Sequence, residues 1–254
     1  MHSGTTLPKR GALVALVAAV AVLCASCGSN GRVFKKQYEY EEELYLALDG
    51  TATLNVNASV ASLVALRGLD LPVDPRARLD RERVRSYFQG PGAEAVVSLS
   101  RRDGRRFVHV SVDVTDLRTL ERLAPFAWSR YRFDRRGEEY DYRQVVGAAA
   151  GKPVGNVGWD GSEVVAFRMH VPSKIDFHNT PTKRTERGNI LEWEQPLSER
   201  LKGTPVEMEV QMESTSILSR TLLLFGSTIL AAAAVFALVI WWVARRGRAA
   251  ESTT

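Results

Sequence analysis

Four histidines, two cysteines and scattered carboxylates are the raw material from which this 254-residue chain could build a catalytic or metal site. Their spacing argues against one. His2 precedes the first apolar run, which leaves His109, His170 and His178, and no two of these stand at the His-x-x-x-His interval that sets two imidazoles on one helix face. His109 and His170 fall in strand patterns, where a histidine is more often structural than a ligand, and His178 falls in the polar stretch Phe177-His178-Asn179. Cys24 and Cys27 both close the first apolar run, so the remainder of the chain has no thiol for a disulfide, a metal thiolate or a nucleophile. There is no Gly-x-Ser-x-Gly elbow and no Ser-x-x-Lys arrangement suited to a nucleophile. The stretch Gly147 to Pro153 has the look of a phosphate loop, but it is one spacer short and Pro153 stands where a Mg²⁺-holding Ser or Thr belongs. Glu192 and Glu194 flank Trp193 and share one strand face, which solvated polarity explains better than an acid/base pair. The reading is of a noncatalytic chain without catalytic residues, metal or cofactor.

Binding chemistry is better represented. Arginines crowd two turn regions, at 101, 102, 105 and 106 and at 130, 132, 135 and 136, interleaved with Phe107, Trp128, Tyr131 and Phe133. Near a bilayer each basic side chain contributes about 1 kcal/mol toward anionic headgroups. Arg101, Arg102, Arg105, Arg106, Arg135 and Arg136 are therefore the headgroup-binding candidates, against the plain alternative of solvated turns. Nucleic acid is not expected as a partner. The formal charge is +5, but setting aside Lys9, Arg10, Arg245, Arg246, Arg248 and Glu251 at the two ends leaves 29 basic against 28 acidic residues. The polar segment Pro172 to Gly188, beside Trp193, is a second candidate, a lip over a pocket.

These residues need a frame, and the patterning supplies it. Glu43 to Leu48 and Thr51 to Asn57 read as a hairpin about Asp49-Gly50. Asn57 or Ser59 caps a helix over Ala58 to Arg67 that Gly68 ends, and a second helix runs from Leu79 to Phe88. In the next hairpin Val108, Val110, Val112 and Val114 share one face while His109, Ser111 and Asp113 share the other, the mark of a sheet with one buried side. A short helix follows Thr115 or Asp116. Further strands are expected at Trp128 to Asp134, Glu138 to Val146, Glu163 to Val171, Ile190 to Gln195 and Val206 to Met212, with Ser173 to Gly188 as an exposed loop. The fold class is α+β, a largely antiparallel sheet of about nine strands with about three helices.

Two apolar segments bracket that domain. Gly11 to Leu23, behind Lys9-Arg10, is the core of an export signal and is short for a bilayer span of about 20 residues. Its end, Ala25-Ser26-Cys27-Gly28-Ser29, has the form of a lipobox with Cys27 as the lipidated residue, although Cys24 occupies a position where such boxes carry Leu. Ordinary cleavage or an uncleaved short anchor are the alternatives. Leu222 to Val243 is 22 residues without a charge, closed by Trp241, Trp242 and Arg245-Arg246, and reads as a transmembrane helix. Positive charge at both flanks puts both inside, so the middle lies outside. The organisation is a signal with lipobox over 1–27, a tether over 28–40, an extracytoplasmic domain over 41–215, a juxtamembrane stretch over 216–221, the transmembrane helix over 222–243 and a cytoplasmic basic tail over 244–254. About nine extended residues from Met212 to Leu222 would tie the domain to the membrane, at most roughly 30 Å of chain.

With Ala25-Ser26-Cys27, the region Val171-Pro172 through Gly188-Asn189 with Trp193, and Leu222 to Arg248, the layout resembles the LppM-like bacterial envelope lipoproteins. The resemblance implies a single-pass protein of the bacterial cytoplasmic membrane whose exterior domain binds polar envelope lipids rather than a catalyst. The leading expectation is a domain that binds a lipid or other amphiphile near the membrane surface. The alternative is a docking or assembly subunit with an envelope protein partner.

Overall fold

The structure is a computed structural model that describes residues 36–251. The signal run and Cys27 lie outside the described residues, as does the end of the tail. Among the described residues there are ten strands: β1 (Gln37–Leu46), β2 (Ala52–Ser59), β3 (Ala93–Arg102), β4 (Arg105–Val114), β5 (Ser129–Arg136), β6 (Glu139–Val146), β7 (Glu163–His170), β8 (Ser173–His178), β9 (Ile190–Pro196) and β10 (Val206–Ser216). They form a six-stranded sheet in the order β3-β4-β2-β1-β7-β9 and a four-stranded sheet in the order β5-β6-β10-β8. Neighbouring strands are antiparallel except β1 and β7, which run parallel. The α-helices among the described residues are α1 (Val60–Arg67), α2 (Arg81–Phe88), α3 (Leu197–Leu201) and α4 (Ile217–Glu251), and two 3-10 turns span Leu117–Arg122 and Ala124–Phe126. The α+β class is as expected, with one strand more than anticipated and the sheet divided in two.

The helix ends follow local chemistry. The Ser59 side chain caps α1 by accepting from the N–H of Ser62 at 3.0 Å, and Gly68 closes it in the left-handed region at φ +71°. Every residue of α1 is buried, because the helix lies inside the fold against β2 and β4. Asp80 caps α2, which buries Val84 and Phe88. The β3–β4 turn is the pair Asp103-Gly104, both at positive φ (51° and 74°), so pairing extends out to Arg102 and Arg105. The four valines of β4 point inward as their alternation predicts. Residues of both sheets, among them Tyr40, Val112, Phe167, Tyr142 and Met212, belong to one core with α1 and α2.

Three segments differ from the sequence reading. β1 begins at Gln37 rather than Glu43, and a bulge at Tyr38/Tyr40 turns both Glu39 and Tyr40 inward. Ser173 to Gly188 is not all loop: its first six residues form β8, an edge strand on β10 whose polar residues Lys174 and Asp176 concealed it. The stretch after Met212 is not an extended tether. β10 continues to Ser216 and α4 starts at the next residue. Within α4, Thr221–Trp241 is 21 residues long, apolar enough to cross a membrane and not buried against the domain.

Candidate functional site

The β3–β4 turn arginines divide by where their guanidinium groups go. Arg102 donates to the Tyr38 carbonyl at 2.8 Å and lies 4.1 Å over the Phe107 ring. Arg105 reaches inward to Glu39, with Nη1 2.7 Å from Oε1, and Trp159 Nε1 donates to the other oxygen of that buried carboxylate at 3.0 Å. Arg106 is buried and binds two carbonyls of one loop, Ala77 at 2.6 Å and Pro72. That bond pair folds loop 72–79 back onto the hairpin and so carries Arg76 and Arg78 to its side. Burial and the neighbouring Arg101 pull the Arg106 pKa down, and Asp74 partly restores it. Arg101 is exposed.

Two concavities meet at Arg106. The first, about 390 Å³, opens at the start of α1. Ser59, Val60 and Ala61 form one wall, Val73 and Pro75 another, and Val154 and Val157 a third, with Arg105, Arg106, Asp74 and Asp103 at the polar rim. The second is an open groove of about 510 Å³ between the loop and the hairpin, lined by Arg76, Arg78, Arg101 and Arg106 over Leu79, Leu99 and Phe107. Arg101 and Arg106 are among the candidates read from the sequence, whereas Arg76 and Arg78 are distant in the chain and joined to the turn only through carbonyl acceptors.

Arg135 and Arg136 stand elsewhere. The β5–β6 turn packs beside the end of β10, where the Ser214 N–H donates to the Glu138 carbonyl at 2.8 Å, three residues before α4 begins. Arg136 pairs with Asp141 at 2.9 Å, and Arg135 Nε donates to the Gly137 carbonyl at 3.0 Å. Glu138, Glu139 and Glu213 share this end, so its charge is mixed.

A buried polar knot lies deeper. Arg67, at the end of α1, pairs with Glu42, donates through Nε to the Tyr40 hydroxyl at 3.0 Å and stacks on Trp128. Arg200 is 0% exposed, lies 4.8 Å from the same Trp128 ring and donates to the Gly147 and Thr204 carbonyls. Burial first, and then the Arg67 charge, pushes the Arg200 pKa down to about 10, with Glu42 acting against both.

The other chemistry-bearing residues lie on the six-stranded sheet, except His178 at the end of β8 in the four-stranded one. His109 Nε2 is 2.7 Å from the Ser100 hydroxyl, a contact the sequence did not suggest. His170 meets Glu43 at 2.6 Å and stacks on Tyr45. His178 contacts Thr180 at 2.9 Å, and burial with nearby Lys183 lowers its pKa. Glu192 pairs with Arg168 at 2.7 Å, and Glu194 accepts from Tyr38 and Lys36, so the two carboxylates serve separate ion pairs. Among the described residues no group of three His, Cys, Asp or Glu side chains is placed to hold a metal ion.

The chain is thus an α+β domain continued by one helix apolar enough to span a membrane. No protein-family model matches it, and no curated protein matches it. Among solved structures, the folded domain of LppM from Mycobacterium tuberculosis, determined by NMR, is similar at 12% identity with a TM-score of 0.40, over 74% of this chain and 98% of that one. That resemblance is weak.

Proposed function

We propose that this chain is a noncatalytic, membrane-anchored envelope protein whose exterior domain takes up a lipid or other amphiphile close to the membrane. The observation that supports this reading is the 390 Å³ concavity, in which apolar walls from α1 and two loops meet a charged rim of Arg105, Arg106, Asp74 and Asp103. Mostly apolar linings with a few placed polar groups are what small-ligand sites share. The pairing of walls and rim suits a molecule with a tail and a polar head. The connection fits as well, since β10 passes without a linker into α4, the helix apolar enough to cross a membrane.

The test is native mass spectrometry with lipid extraction of the purified chain, beside the variant Val157→Trp. Val157 sits on a loop wall and is half-buried, so an indole there fills the concavity without entering the core. The expected outcome is a co-purifying amphiphile that the variant loses at least tenfold. A wild-type chain that carries none, or one that captures a protein partner through this face instead, would sink the reading in favour of a docking subunit.

A further inference from the structure

The groove beside that concavity differs from it in kind. Four arginines line it, Arg76 and Arg78 on the loop and Arg101 and Arg106 on the hairpin, and its lining includes no carboxylate. Arg76, Arg78 and Arg101 make no ion pair among the described residues, although the domain elsewhere spends its arginines on nearby acids, as at Arg136–Asp141 and Arg168–Glu41. Asp74 and Asp103 stand on the concavity side of Arg106, not in the groove. Four like charges held together repel one another, and the fold keeps them so through a built device: Arg106, 7% exposed, clamps the loop by its Pro72 and Ala77 carbonyls. Its remaining Nε is buried with no hydrogen-bond partner among the described residues. Guanidinium forks match the oxygen geometry of phosphate and bind it through charge-assisted hydrogen bonds.

We infer that this groove binds a phosphate group, and that Arg106, shared by groove and concavity, joins the phosphate of an amphiphile to the site of its tail. The tail assignment rests on the proposed function; the phosphate assignment does not. Leu79, Leu99 and Phe107 form the groove floor and keep the guanidinium groups over apolar surface, where their attraction to an anion is less screened.

The experiment uses the full chain in an uncharged detergent and three probes: a short-chain phosphatidic acid, the phosphatidylcholine of the same chain length, and glycerol phosphate. Binding is followed by titration calorimetry. Phosphatidic acid is expected to bind, phosphatidylcholine at least tenfold more weakly, and the triple variant Arg76→Ser, Arg78→Ser, Arg101→Ser to lose affinity by about 100-fold, three exposed cations at about fivefold each. A control triple, Arg118→Ser, Arg130→Ser, Arg132→Ser, removes the same charge elsewhere and is expected to bind within twofold of wild type. Equal affinities for the two lipids, or equal losses in the two triple variants, would overturn the inference. Glycerol phosphate matching phosphatidic acid would uphold the phosphate site and assign it to soluble phosphates, in which case the tail assignment and the amphiphile reading fall while the groove stands. Phosphatidic acid tighter by tenfold or more upholds both.

Discussion

Replacing Glu42 by Gln tests the energetic account of the core. Glu42 is the counter-ion of Arg67, with side-chain exposures of 2% and 1%, and its field also offsets the charge of Arg200, which has no ion pair among the described residues. The substitution keeps the shape and leaves two buried guanidinium groups without a buried anion. Removing one partner of a buried pair costs about 3–5 kcal/mol. With a urea m-value of about 2 kcal/mol/M for a domain of this size, the unfolding midpoint falls by about 1.5–2.5 M. The assay is equilibrium urea unfolding at neutral pH, followed by tryptophan fluorescence. Adding Arg200→Met removes one uncompensated charge, and the double variant is expected to regain a substantial part of the loss. Glu41→Gln is the control: its pair with Arg168 is 16% and 25% exposed, and its loss costs about 1 kcal/mol or less. A midpoint shift below about 0.5 M for Glu42→Gln, or one no larger than for Glu41→Gln, would refute the reasoning.

Alkaline pH should act on the same core. Burial raises the pKa values of Tyr40, Tyr131 and Tyr142 well above 10, so their contribution to stability is intact below the unfolded pKa and is lost as pH rises toward the folded values. Arg200 runs the other way, since its folded pKa near 10 lies below the unfolded one and stability is regained as pH climbs past it. With three protons retained against one lost, stability falls by about 3 kcal/mol per pH unit above pH ~10.5. The tyrosinate absorbance of these three is expected to rise in one cooperative step with loss of the circular dichroism signal, and a gradual rise of all seven tyrosines near pH ~10 in a folded domain would contradict it. At Gly68, the αL conformation (φ +71°) and a Cβ placed 3.1 Å from the Ala150 Cβ both penalise Gly68→Ala. The cost is about 1–3 kcal/mol, read as a thermal midpoint lowered by about 3–10 °C, and an unchanged midpoint would show that the helix end relaxes freely.

What could be read in advance was what sequence encodes locally. The β4 valines alternate, Ser59 and Gly68 bracket α1, and Asp103-Gly104 makes a two-residue turn. The missed features depend on distant partners. Glu39 looks like a tether residue and Glu42 like a surface residue until Arg105 and Arg67 neutralise them inside the fold, which is why the start of β1 was hidden. The polar letters of β8 are those of an edge strand and resemble a loop. Arg76 and Arg78 join the candidate site because Arg106 binds two main-chain carbonyls, and a carbonyl acceptor leaves no trace in the sequence.

Counting arginines near turns therefore misjudges a domain whose charges balance. In a near-neutral domain most cations have an anion within reach, and a cluster in sequence becomes a binding surface only where the fold keeps carboxylates out. At the β5–β6 turn it does not: Asp141 takes Arg136, and Glu139 stands opposite Arg136 in the strand pair. At the β3–β4 turn Glu39 takes Arg105 and the Tyr38 carbonyl takes Arg102, which draws two of the four inward. Arg101 is left facing the groove, and the loop clamped by Arg106 brings Arg76 and Arg78 to it. The proposed phosphate site thus depends on a clamp made to two carbonyls rather than on the number of basic residues at the turn. Releasing that clamp should weaken phosphate binding more than deleting any one exposed arginine.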